Sequence, residues 1–172
     1  MGHKKHKSSD TNKLKPSLKN VTLPDHVAAL EVIPKNAEQQ ALINAINDAC
    51  IVFATGPAGT GKSYVALKMG IKYLMEKKVQ RLILVRPAVA TIENLGYLPG
   101  DMNEKLDPFH IALYEILDKY LNRVAVDEMF ENGAIEVAGI GFLRGRTLDN
   151  AFVVVDESQN LTPAQFKLIM TR

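Results

Sequence analysis

The stretch Gly56-Pro57-Ala58-Gly59-Thr60-Gly61-Lys62-Ser63, GPAGTGKS, follows directly on the apolar run Cys50–Thr55, CIVFAT. Gly56, Gly61, Lys62 and Ser63 satisfy G-x-x-x-x-G-K-[ST], the Walker A pattern. Its glycines let the backbone turn successive N–H groups inward, making a concave nest for phosphate oxygens. A helix that begins at Lys62 points its free N–H groups and the positive end of its dipole at the same place. Lys62 then reaches the β- and γ-phosphates, Ser63 offers a hydroxyl to Mg²⁺, and Tyr64 stands next in line on the first turn. A flexible linker needs neither the Lys-Ser pair nor an apolar run before it.

Outward from this loop, the flanks read as alternating strands and helices. Residues 37–48 have helical spacing at Ala41, Leu42, Ala45 and Ile46. Asn36 is the candidate N-cap, and Gln39 is placed to reach back to it. Cys50–Thr55 reads as a buried strand and residues 62–78 as a helix. Arg81–Pro87 reads as a second strand stopped by proline. Asp107-Pro108 opens a helix that runs to about Leu121. Strands follow near 134–138 and at 151–155, and a last helix starts at about Pro163. The apolar runs do not alternate, as expected of strands covered on both faces. Parallel strands joined by helices make an open α/β sheet. The expected fold is therefore a three-layer, mainly parallel P-loop NTPase sandwich of the RecA-like kind.

Hydrolysis needs a carboxylate beside the phosphate. Phe152-Val153-Val154-Val155 ends in Asp156-Glu157, 94 residues beyond Lys62. An acid at the carboxyl end of such a strand lies beside the phosphate loop. Asp156 is placed to hold Mg²⁺ and Glu157 to activate water. The pair favours an ATPase over a phosphotransferase.

Other candidates carry two readings each. Gln39, 17 residues before the loop, offers a donor and an acceptor that suit the adenine edge, or it serves only as a cap. Arg86 ends a strand at the ligand-binding edge. Arg144 and Arg146 flank Gly145, and either can face a γ-phosphate, clamp a nucleic acid phosphate, or pair with Asp149 or Glu136. Gln159 and Asn160 can couple the catalytic water to phosphate, or simply begin a helix.

Composition sets the outer limits. Of 172 residues 47% are hydrophobic, enough to bury a core, and no apolar run approaches the length of a membrane span. The single cysteine, Cys50, is expected to be buried and inert, and the setting reducing and cytoplasmic. Residues 1–20 hold six lysines and one acid, for +5, while the whole chain carries +2. This segment is expected to be a disordered basic tail, suited to a nucleic acid backbone, ahead of an ATPase domain over 21–172. Against nucleic acid, the chain has no tryptophan and only 6% aromatic residues, so no stacking platform is visible. A nucleotide-dependent switch and a small-molecule kinase are the competing readings.

The succession PKNAEQQ, GPAGTGKS, VRPAV, LGYLPGD, RGRT, VVVDESQN and LTPAQFKLIMTR resembles the PhoH-like ATPases over residues 34–172. That family is similar to the nucleotide-binding core of superfamily 1 helicases, and some members are linked to RNA unwinding or processing. The resemblance implies ATP on Gly56–Ser63, Mg²⁺ and water handled by Asp156 and Glu157, and Gln39 near the adenine. It implies coupling to RNA or single-stranded DNA. It also implies a ring-like homo-oligomer, of which a hexamer is one form and whose size the sequence leaves open, in which Arg144 or Arg146 acts on a neighbour's nucleotide. Two departures stand out. Val89-Ala90-Thr91-Ile92 replaces a link that is richer in glycine and acids. Family members also continue beyond the position of Arg172 with a further strand, so the sheet is expected to lack at least one strand here.

Overall fold

In the computed structural model, residues 30–87 and 108–172 are described, with the backbone alone at 108–110. The basic tail, the LGYLPGD segment, the Val89–Ile92 departure and the Asp107 cap lie outside the described residues.

Three strands form one parallel sheet in the order β2-β1-β3. They are β1 (Arg81–Arg86), β2 (Ile135–Gly139) and β3 (Ala151–Val155). Leu82 pairs with Ile135 and Arg86 with Gly139 on one side. Arg81 pairs with Ala151 and Val85 with Val155 on the other. The central strand is buried along Leu82–Val85, which is why its apolar run does not alternate.

The helices are α1 (Ala37–Asp48), α2 (Lys62–Met75), α3 (Pro108–Leu117), α4 (Arg123–Glu131) and α5 (Pro163–Met170). Leu82 and Leu84 pack with Leu67, Ile71 and Leu74 of α2, Leu113 and Leu117 of α3, and Val126 and Met129 of α4. Ile83 and Val85 face the opposite way, onto Leu143, Leu168 and Ile169. Alternate residues of β1 therefore enter different layers, and the result is the α/β sandwich expected of a P-loop NTPase. Helix α1 lies outside α2, with Ile43 against Val65 and Met69.

Helix ends follow side-chain chemistry. The Asn36 side chain accepts from the Gln39 N–H. Asn122 does the same for Ala125 at the start of α4. Thr162 and Gln165 form a reciprocal capping box around Pro163. The helix expected to reach Leu121 is shorter, and a further helix that the sequence reading did not mark follows it. Helix α3 stops at Leu117, and α4 begins after the Asn122 cap.

Gly70 brings α2 against the sheet. A Cβ there would lie 2.6 Å from Leu82 Cδ1 and 2.9 Å from Phe152 Cδ1. A Cβ at this position requires the Leu82 and Phe152 side chains, or the helix itself, to move.

One expected strand did not form. Residues 50–55 carry no strand, Ile51 is 55% exposed and Phe53 68%. Hydrophobicity favours burial, but a strand also requires a hydrogen-bonding neighbour. Among the described residues β3 pairs with β1 alone, and nothing ladders onto 50–55. Phe53 instead stacks on Phe166 of α5 at 6.0 Å. Cys50, expected to be buried, is exposed for the same reason.

Candidate functional site

The glycine loop joins the 50–55 segment to α2 and curls by means of positive φ angles at Gly56, Gly59 and Gly61, of +146°, +76° and +86°. Such angles at +76° and +86° suit glycine because L side chains clash there. Gly61 is the N-cap of α2 and supplies no side-chain cap. The first N–H groups of the helix are thereby left facing the loop, as a phosphate site requires. Thr60 Oγ1 donates to the Pro57 carbonyl at 3.0 Å, tightening the turn across Ala58 and Gly59.

Lys62 folds over this turn. Its Nζ donates to the Gly56 carbonyl at 3.0 Å, the Pro57 carbonyl at 2.7 Å and Thr60 Oγ1 at 3.4 Å. The ammonium thus sits in the mouth of the nest, held by neutral acceptors. Ser63 Oγ donates to Asp156 Oδ1 at 2.7 Å. The loop and the end of β3 are therefore brought together as their spacing in the chain led one to expect.

Asp156 continues the ladder, its N–H donating to the Val85 carbonyl at 3.2 Å. Arg86 lies next to it, and Arg86, Asp156, Leu84, Val137 and Val154 line one small cleft at the carboxyl end of the sheet. Glu157 adopts a left-handed backbone with φ +51°. That conformation is uncommon for a residue with a Cβ and costs about 1 kcal/mol or more. The turn Ser158–Asn160 follows as a short 3-10 helix, not the regular helix start considered for Gln159 and Asn160. Gln159 Nε2 donates to Glu157 Oε2, so it holds the carboxylate it was expected to neighbour.

Gln39 is tied to the loop. Its Oε1 accepts from the Lys35 N–H at 2.9 Å and its Nε2 donates to the Thr60 carbonyl at 3.0 Å. It reaches back one residue beyond the expected cap partner. It also presses on Gly61, where a Cβ would lie 2.9 Å from Gln39 Nε2. The motif alone does not reveal this contact, because α1 and the loop become neighbours only through the packing of α1 on α2. Tyr64 is 45% exposed on the first turn of α2, with Lys68 Nζ 5.9 Å from its ring centre.

The two loop arginines part ways. Arg146 makes a two-pronged ion pair with Glu136 of β2, through Nη1 to Oε1 and through Nη2 to Oε2, the latter at 2.7 Å. The hydrogen bonds from Arg146 hold the Glu136 carboxyl below its ordinary range, and burial opposes them. The same hydrogen bonds raise Arg146, again against burial. This is the salt-bridge alternative, and Asp149 goes to Arg81 at 3.0 Å. Arg144 stays exposed.

Among the described residues no cluster of three or more His, Cys, Asp or Glu side chains forms a metal site. No described helix is long and apolar enough to cross a membrane.

Residues 31–172 match the family described as PhoH-like protein. The chain is 46% identical over 138 residues to a PhoH-like protein of Synechocystis, covering 80% of this chain and 42% of that relative. It is 44% identical over 138 residues to a PhoH-like protein of Bacillus subtilis, covering 80% and 43%. Against Protein PhoH of Escherichia coli K12 the identity is 37% over 143 residues, covering 82% and 40%. The chain thus spans about two fifths of the length of these relatives.

Proposed function

The chain belongs to the PhoH-like protein family, and on that footing we propose that it binds ATP with Mg²⁺, hydrolyses it, and couples turnover to RNA or single-stranded DNA. The observation that carries this reading is the meeting of Ser63 with Asp156 at the end of a glycine loop whose carbonyls accept from the Lys62 ammonium.

In this reading Lys62 exchanges the Gly56 and Pro57 carbonyls for β- and γ-phosphate oxygens, a stronger charge-assisted contact. The backbone N–H groups of Pro57–Ser63 other than proline, with Tyr64, line the phosphates. The Ser63 hydroxyl and the Asp156 carboxylate are hard oxygen donors at contact distance, and such a pair fits Mg²⁺ that keeps its remaining positions for water and phosphate. When bound, Mg²⁺ neutralises charge building between the β- and γ-phosphates.

Glu157 is the base that accepts a proton from the attacking water, and Gln159 holds its carboxylate in place. Arg86, lining the same cleft as Asp156, serves the γ-phosphate. Each Gln39 amide atom makes one contact and keeps one further N–H or lone pair, which suits the adenine edge. Arg144, exposed and outside any ion pair among the described residues, is the loop arginine suited to a phosphate, either of a bound strand or of a neighbour's nucleotide in a ring-like homo-oligomer. The setting proposed is cytoplasmic. The lysine-rich residues 1–20 support the nucleic-acid partner through counterion release.

The experiment is ATP hydrolysis with and without single-stranded RNA or DNA, for the chain and for Lys62→Ala and Glu157→Gln. Turnover that rises with polynucleotide and vanishes in both variants bears the reading out. Tight ATP binding without turnover, accompanied by a change of oligomer size, points instead to a nucleotide-dependent switch.

A further inference from the structure

Phe142 is 67% exposed, as is Phe53 at 68%, but Phe53 stacks on Phe166. Phe142 belongs to the 3-10 turn Ile140–Leu143, which leaves the carboxyl end of β2. Ile140 and Leu143 of the same turn are buried and anchor it to the layer beneath the sheet. The far side of the loop is clamped back to β2 by the Arg146–Glu136 pair. The turn is therefore held at both ends.

The ring lies over Gly139. A Cβ on that glycine would meet Phe142 Cδ2 at 3.5 Å and Cε2 at 3.8 Å, while a Cβ on Gly141 would meet nothing within 4 Å. Main chain backs the ring, and the rest of it looks into solvent. Arg144 follows two positions later, exposed and with extended backbone.

The placement across the sheet matters as much. Gly139 pairs with Arg86. Asp156 stands one step beyond the Val85–Val155 pair, beside Arg86. The three residues form a row along the carboxyl edge of the sheet, so the Gly139 position stands two strand spacings, about 10 Å, from Asp156.

We propose that Phe142 is a base-stacking platform for single-stranded nucleic acid, with Arg144 as its phosphate contact, on the same sheet edge as the nucleotide loop. This rests on the nucleic-acid reading above and names the residues that would carry it. A flat, exposed aromatic ring with a cation two positions along the chain provides what stacking on a base and holding its phosphate require, and such stacking tolerates any sequence. A protein-binding core would need a contiguous apolar patch. Among the described residues, the exposed positions flanking Phe142 in the chain are Gly141, Arg144 and Gly145. Sequence alone gave no sign of a platform, because a single phenylalanine in GFLRGRT looks like one more core residue until its burial is known.

The full chain is tested with a fluorescently labelled single-stranded RNA of mixed sequence, and with the same strand made abasic, by anisotropy. Phe142→Ala is expected to weaken binding of the base-bearing strand about tenfold. It should leave the abasic strand, held by lysines, unaffected. The chain contains no tryptophan, so Phe142→Trp introduces a lone reporter, and the indole fluorescence of that variant is expected to be quenched as the base-bearing strand is added. Equal binding by Phe142→Ala, together with unquenched indole fluorescence in Phe142→Trp, overturns the proposal while the nucleic-acid reading survives. A change of oligomer size in Phe142→Ala with unchanged RNA affinity also overturns it, in favour of a contact between subunits. No binding of either strand by the unaltered chain overturns the nucleic-acid reading and this proposal together.

Discussion

Ser63 and Asp156, 93 positions apart in the chain, share a 2.7 Å hydrogen bond from the serine hydroxyl to the carboxylate. It joins the first turn of α2 to the end of β3, and it brings together the two hard oxygen donors to which the proposed function assigns Mg²⁺. Ser63→Ala removes the hydroxyl and leaves the loop backbone intact. The expected outcome is that the gain in ATP affinity on adding Mg²⁺ shrinks about tenfold, while affinity in a chelator stays the same. Titration calorimetry with and without Mg²⁺ measures the ratio. An unchanged ratio removes Ser63 from the metal site.

Gly61 and Gln39 test two separable costs. In Gly61→Ala the new methyl meets Gln39 Nε2 at 2.9 Å and must also adopt φ +86°. Adding Gln39→Ala relieves the contact but not the backbone angle. The double variant is expected to regain only part of the lost stability, with about 1–2 kcal/mol remaining from the left-handed angle. Urea denaturation of the two single variants and the double variant gives the partition. Full recovery would mean that the contact alone matters.

Gly70→Ala adds a methyl where Leu82 and Phe152 leave no space. Overpacking of this kind costs about 1–3 kcal/mol. The thermal midpoint, followed by circular dichroism, is expected to fall by several degrees. A midpoint at or above that of the unaltered chain would show that α2 can slide on the sheet.

Arg146 and Arg144 should behave oppositely. Arg146→Ala breaks the pair with Glu136 and is expected to cost up to about 1 kcal/mol, whereas Arg144→Ala should stay within about 0.5 kcal/mol of the unaltered chain. The pair also carries a pH signature. The folded Glu136 carboxyl is held below its ordinary value of 4.5 by Arg146. Its contribution is therefore fully present above about pH 4.5 and is lost as pH falls through the lower, folded value. Glu136→Gln should flatten that acid limb of the stability curve. An unaltered limb would assign the acid sensitivity to other carboxylates.

Cys50 is exposed. In native buffer it is expected to react with a thiol reagent to completion, at a rate within about threefold of that in denaturant. Protection of about a hundredfold or more would restore the buried strand that its sequence suggests.

Much of the site was legible before the fold. The phosphate loop is a local device: its glycines, lysine and serine act within eight residues, and the helix after it needs only its own periodicity. The strand ending in Asp156-Glu157 was legible because a buried parallel strand shows as an unbroken apolar run. Helix α4 was missed because its buried positions, Ala125, Val126 and Met129, make a narrow stripe among charged residues. The Asn122 cap was its available signal. The strand at 50–55 failed for the converse reason, since an apolar run reports a tendency to burial and says nothing about which neighbour will supply hydrogen bonds.

By itself, then, the sequence determined the alternating α/β order, the glycine loop at Gly56–Ser63 and the strand that ends in Asp156-Glu157, because each depends on residues close together in the chain. Only the tertiary structure decided that Gln39 braces Thr60, that Arg146 is committed to Glu136 while Arg144 is not, and that Phe142 faces solvent over Gly139. Those outcomes depend on which strand lies beside which. A side chain's partner across the sheet is set by register and packing, which no local pattern of residues encodes.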